Sequence, residues 1–189
     1  MPAEVEIKFR ITDIAALVAA LSRLGLKEIT PRTHEMNALF DLPGHPLRDH
    51  GEVLRLRQYG ETWLLTHKAK SNKYGGRHKS RVETETRVED GEKMEAILRA
   101  VQFEPSFRYE KFRAEWKGEH GHVVIDETPI GNFGEIEGPP DWIDSVASQL
   151  NLRREDYITE TYAGLFFEWK GRTGSQAKEM TFASVKQQR

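Results

Sequence analysis

Not one of the 189 residues is cysteine, so disulfides, thiolate nucleophiles and thiolate metal sites are excluded together. Net charge is also nearly absent: 28 Lys and Arg against 30 Asp and Glu leave −2 at pH 7. No global field therefore recruits nucleic acid or an anionic membrane, and neither is expected as a partner. No apolar run approaches the ~20 residues of a membrane span, and the opening MPAEVEIKFR carries no apolar signal segment, so a cytoplasmic protein is expected. The glycine patterns of P-loops and dinucleotide folds are missing as well. The seven histidines show no HExxH spacing, which argues against zinc.

What the chain does have is charge, at 31% of residues beside 38% hydrophobic, in a length that suits one domain. That domain is expected over residues 1–170, followed by a polar, frayed tail over 171–189. Strands are expected at Glu4–Ile11, His34–Asp41, Glu52–Tyr59, Thr62–Lys70, Ser80–Val88, Phe107–Lys117, His122–Thr128 and Gly134–Gly138. Helices are expected after Asp13, after Asp90, from Pro139, and over Glu155–Trp169. The glycine-rich, basic stretch Ser71–Ser80 reads as a loop able to close over a site. About eight mostly antiparallel strands with interspersed helices predict an α+β fold built on an eight-stranded antiparallel β-barrel.

Residues two apart in a strand share a face. Glu4, Glu6 and Lys8 therefore oppose Val5, Ile7 and Phe9, and Arg55 and Arg57 oppose Leu54 and Leu56. Arg81, Glu83 and Glu85 share a face, as do Lys111 and Arg113, and Glu135 and Glu137 flank Ile136. Asp126 sits in an imperfect version of the pattern, with Val124 on its side. For any one strand the charged face is ordinarily the solvent face. Repetition of full charges in strand after strand favours the reverse, an inward charged face with helices covering the apolar exterior. An interior lined by both signs is costly unless its charges pair or hold a ligand. Arginines and lysines suit phosphate oxygens, and carboxylates suit a hard cation such as Mg²⁺ or Mn²⁺. Metal, phosphates and cationic clamps together are what phosphoryl chemistry requires.

Glu4-Val-Glu6-Ile-Lys8 resembles the ExExK signature of the CYTH superfamily, the triphosphate tunnel metalloenzymes. Further elements follow in order: Leu54-Arg-Leu-Arg57, Leu65-Thr-His-Lys68, Ser80-Arg-Val-Glu-Thr-Glu85, Tyr109-Glu-Lys-Phe-Arg113, Val124-Ile-Asp-Glu127 and Gly134-Glu-Ile-Glu137. The resemblance covers roughly residues 3–168 and is greatest to bacterial class IV adenylyl cyclase-like proteins. It implies a tunnel holding a triphosphate along its axis. Lys8, Arg55, Arg57, Lys68, Arg81, Lys111 and Arg113 would then bind phosphates, and Glu4, Glu6, Asp126, Glu135 and Glu137 would bind Mg²⁺ or Mn²⁺. Glu83 and Glu85 would position basic residues or waters, and Lys68 and Glu6 would serve catalysis. One departure is Leu39-Phe40-Asp41, where many members carry two aromatics, with Asn37 where an acidic residue is common. Lys68 is accordingly expected to act without a tyrosine partner.

The reading that follows is a cyclase converting ATP to cyclic AMP and pyrophosphate. The alternative is a triphosphatase acting on tripolyphosphate, thiamine triphosphate or a nucleoside triphosphate, and a third is a non-catalytic polyphosphate or nucleotide sensor. A homodimer is the default assembly. Trp142, Trp169, Tyr162, Phe166 and Phe167 recur at helical spacing and are expected to pack helices on the barrel rather than to stack on a base.

Overall fold

The computed structural model of the chain describes residues 3–70 and 78–186. The alternation of charged and apolar residues is realised as eight strands: β1 (Ala3–Ile11), β2 (Lys27–Asp41), β3 (Val53–Tyr59), β4 (Thr62–Lys70), β5 (Lys79–Val88), β6 (Glu104–Lys117), β7 (His122–Thr128) and β8 (Gly131–Glu137). They close in the order β1-β5-β4-β3-β2-β6-β7-β8, every pairing antiparallel. Among the described residues six α-helices accompany them: α1 (Ile14–Arg23), α2 (Pro46–His50), α3 (Gly91–Ala100), α4 (Pro140–Gln149), α5 (Tyr162–Thr173) and α6 (Phe182–Lys186). The α+β barrel is thus the observed fold.

The barrel is inverted as the pattern predicted. Val5, Ile7 and Phe9 of β1 and Ile136 of β8 form one buried cluster with Leu21 of α1 and Ile143, Val146 and Ala147 of α4. Hydrophobic burial therefore lies between barrel and helices, and the charged faces turn inward. The helices begin where short acids can cap them: Asp13 accepts from the Ala16 amide at 3.0 Å and Asp90 from the Lys93 amide at 2.9 Å. Gly134 is required by close approach, because a Cβ there would fall 2.1 Å from the Phe9 ring. It thereby lets β8 lie against β1 with Glu135 next to it.

Several expected boundaries differ: β6 and β8 each begin three residues earlier, at Glu104 and Gly131, and three differences go further. The second strand begins at Lys27, not His34. Pro31 lacks an amide to donate to a ladder, and register shifts between Glu28, Thr30 and Thr33 absorb it at an irregularity. The last long helix begins at Tyr162, not Glu155. Ile158 instead pairs with Lys8, exchanging amide–carbonyl bonds of 3.1 and 2.7 Å, and Thr161 caps α5. Nor are residues 171–186 frayed. Ala177, Met180 and Val185 are buried with Phe107, Tyr109 and Phe166, and Met180 bonds to the backbone of Arg108 and Glu110. Packing outweighs the polar composition of that segment. Most of the expected basic loop, residues 71–77, lies outside the described residues.

Candidate active site

The charged faces enclose a cavity of about 650 Å³ within the barrel. Its wall carries Glu4, Glu6, Lys8, Arg55, Arg57, Lys68, Arg81, Glu83, Glu85, Lys111, Arg113, Glu135 and Glu137. Every expected site residue but Asp126 therefore reaches one space, brought there from six strands.

Strand register builds a carboxylate group at one part of the wall. Glu6 lies opposite Glu137, and Lys8 opposite Glu135, across the β1–β8 pair. Oxygens of Glu6, Glu135 and Glu137 lie within 4.8 Å of one another. Burial and then the charges of Glu135 and Glu6 push the Glu137 carboxyl up to about 7. Among the described residues no hydrogen bond or ion pair holds the Glu137 side chain. Glu135 is different. Burial opposes its charge, but Lys8 and Arg113 hold its carboxyl well below the usual range. Three hard oxygen donors converging with one left uncompensated fit a hard divalent cation. Glu4 and Asp126 do not join this group. Glu4 pairs with Lys68 at 3.6 Å and faces Glu83, and burial together with Glu83 and Glu137 pushes it up to about 9.

Asp126 is fully buried behind the wall, where four hydrogen bonds take up its oxygens. Arg113 grips it through Nε at 2.8 Å and Nη2 at 2.7 Å, Lys111 donates at 2.8 Å and the Tyr162 hydroxyl at 2.6 Å. Asp126 is a counter-ion that holds two cations in place. Its chain position beside Val124 carried no warning of this, because depth behind the wall is a tertiary property.

The cations occupy the rest of the wall. Arg57 meets Glu85 at 3.0 Å, and Glu85 also accepts from Thr66 at 2.6 Å. Lys68 is ion-paired with Glu83. Arg55 and Arg57 each keep a buried Nε without a hydrogen-bond partner among the described residues, a donor available to an anion. Arg81 instead donates to the Gly51 carbonyl, so part of its fork holds a loop.

Glu35 was not foreseen. It is fully buried at the centre of the cations, 3.5 Å from Lys111, 3.7 Å from Arg57 and 3.9 Å from Arg113, and accepts from Asn37 at 2.9 Å. Glu35-x-Asn37 has the same two-residue spacing as the Glu-x-Glu pairs, and that was the available signal. The acidic group looked for at position 37 is supplied one inward position earlier. Tyr162 was expected to be packing alone, yet its hydroxyl enters the charge network through Asp126.

The profile of the CYTH domain family matches residues 2–162. This chain belongs to the CYTH family. Among its relatives, a provisionally named adenylate cyclase of Methanocaldococcus jannaschii is 29% identical over 174 residues, covering 86% of this chain and 97% of the relative. Adenylate cyclase CyaB of Aeromonas hydrophila is 27% identical over 177 residues, covering 86% and 87%. Among solved structures, a provisionally named adenylyl cyclase of Hippeastrum, described as having a dominant triphosphatase activity, aligns with TM-score 0.62 at 20% identity over 87% of this chain and 95% of that one. A Vibrio parahaemolyticus structure, also provisionally named an adenylate cyclase, aligns with TM-score 0.74 at 18% identity, covering 87% and 97%. The CYTH tunnel is thus the frame in which this site's chemistry is read.

Proposed function

We propose that this CYTH protein is a divalent-metal-dependent enzyme acting on a triphosphate, converting ATP to cyclic AMP and pyrophosphate. The observation that carries the reading is the single cavity in which a three-carboxylate group faces buried arginines and lysines. Glu6, Glu135 and Glu137 would hold Mg²⁺ or Mn²⁺, which when bound neutralises phosphate charge and polarises the reacting phosphorus. Arg55, Arg57, Lys111 and Arg113 bind phosphate oxygens, with Asp126 and Glu35 keeping the last two in place. The ribose 3′-hydroxyl attacks the α-phosphorus, giving up its proton to solvent, and pyrophosphate leaves, its charge taken by the guanidinium groups. Lys68, an ammonium paired with Glu83, is placed to bind the negative charge that develops on the phosphates. The relatives' adenylate cyclase names support this assignment.

A triphosphatase is the second reading, supported by the triphosphatase activity described for the Hippeastrum structure and by a cation set that binds a phosphate chain of any origin. Incubating purified protein with Mg²⁺ or Mn²⁺ and either ATP or tripolyphosphate separates the two. Cyclic AMP with pyrophosphate supports the cyclase; orthophosphate without cyclic nucleotide overturns it in favour of hydrolysis. Tight binding of both compounds without turnover would leave only a sensor.

A further inference from the structure

We propose that Phe167, backed by Phe107, forms a stacking platform at one mouth of the tunnel for an aromatic heterocycle carried on the triphosphate. The inference rests on the triphosphate reading above and names the other end of the substrate. Phe167 lies on α5 and is 61% exposed, yet it lines the cavity. An apolar ring left open at the rim of a charged cavity gains burial when a ligand's ring covers it.

The ring is not isolated. Its centroid lies 6.2 Å from that of Phe107, which stacks on Tyr109 at 5.9 Å and 23°. Tyr109 meets Tyr162 at 5.8 Å, and the ammonium groups of Lys8 and Lys111 lie 4.5 and 4.8 Å from the Tyr162 ring. A continuous aromatic file thus joins the rim to the buried cations. Phe107 and Lys111 stand four residues apart on one face of β6, roughly 14 Å along the strand. That is the scale on which a sugar and phosphate chain separates a base from its outer phosphates.

A second observation lies in the loop between β2 and α2. Asp41 fixes this loop by accepting the amides of Leu42, Leu47 and Arg48 at 2.8, 3.1 and 3.0 Å. Within it His45 lines the same cavity in a left-handed conformation, φ 59°. Its Nδ1 is buried and has no hydrogen-bond partner among the described residues. A buried ring nitrogen left without a partner is unfavourable, and the polar edge of a heterocycle supplies one. Tripolyphosphate has neither a face for Phe167 nor such an edge for His45.

The test measures binding of ATP, thiamine triphosphate and tripolyphosphate, each with Mg²⁺, to the full chain and to Phe167→Ala and Phe167→Trp. The alanine variant is expected to bind ATP or thiamine triphosphate about tenfold more weakly, with tryptophan restoring it. Which of the two organic compounds responds identifies the heterocycle. Tripolyphosphate affinity is expected to hold in both variants, which also reports an intact fold. An equal loss for all three compounds, or no loss for either organic one, overturns the platform while leaving the tunnel reading standing. Failure of all three to bind the unmodified protein overturns the tunnel reading and the platform with it.

Discussion

Lys79 Nζ lies 2.5 Å from Glu6 Oε1, so the first residue of β5 lays an ammonium on one of the three carboxylates that face each other. Lys79 and a divalent cation therefore compete for the same oxygens. Replacing Lys79 with methionine is expected to tighten Mn²⁺ binding without nucleotide by about tenfold, the worth of one charge-assisted hydrogen bond. Titration calorimetry reads this directly, and weaker binding in the variant would show that the lysine assists the cation.

The metal site should also release a proton. Burial and the charges of Glu135 and Glu6 push Glu137 up to about 7, so below that pH the carboxyl carries a proton that a cation must displace. Mg²⁺ affinity should fall by about tenfold per pH unit below pH 7 and level off above it. Calorimetry in buffers of different ionisation enthalpy would count the protons. Glu137→Gln should abolish the pH dependence and weaken binding throughout.

Glu35 makes the opposite prediction for stability. Burial alone would raise its carboxyl, but Lys111, Arg113, Arg57 and Arg55 outweigh burial and bring it down to about 2 from 4.5. A depressed carboxyl stabilises the fold above its unfolded pKa. That contribution, about 3 kcal/mol, is lost as pH falls from 4.5 towards 2. Urea unfolding across this window should show the loss in the parent and not in Glu35→Gln. At neutral pH the glutamine variant should be less stable by about 3–5 kcal/mol, because its three nearest cations lose their shared counter-ion.

Met180 tests the C-terminal segment. It is fully buried among Phe107, Tyr162 and Phe166. Met180→Ala should cost about 2–5 kcal/mol in chemical unfolding. A variant as stable as the parent would mean that residues beyond 170 add nothing to the core.

Much of this protein was legible along the chain because strand periodicity reports a face. Glu4/Glu6/Lys8 against Val5/Ile7/Phe9 was enough to expect an apolar exterior under helices, and α1 and α4 cover it as expected. Glu35 escaped notice although it lies inside the expected strand His34–Asp41, because a single acid two residues from Asn37 makes no repeated charged face. Phe167 was grouped with Phe166 by helical spacing, which cannot tell the helix face turned to the barrel from the rim of a cavity. Met180 was hidden for a related reason, since a polar segment gives no hint that one apolar residue within it is held by partners on β6.

From composition and alternation came the class of fold, the inward charges and the kind of ligand they can hold, since these depend only on which residues share a strand face. Depth and partnership came from the closed barrel. Asp126 turned out to hold Lys111 and Arg113, while Glu6, Glu135 and Glu137 met as a group. Periodicity assigns a side chain to a face, but which charges neutralise one another there depends on inter-strand register and distance, and closure of the barrel sets both.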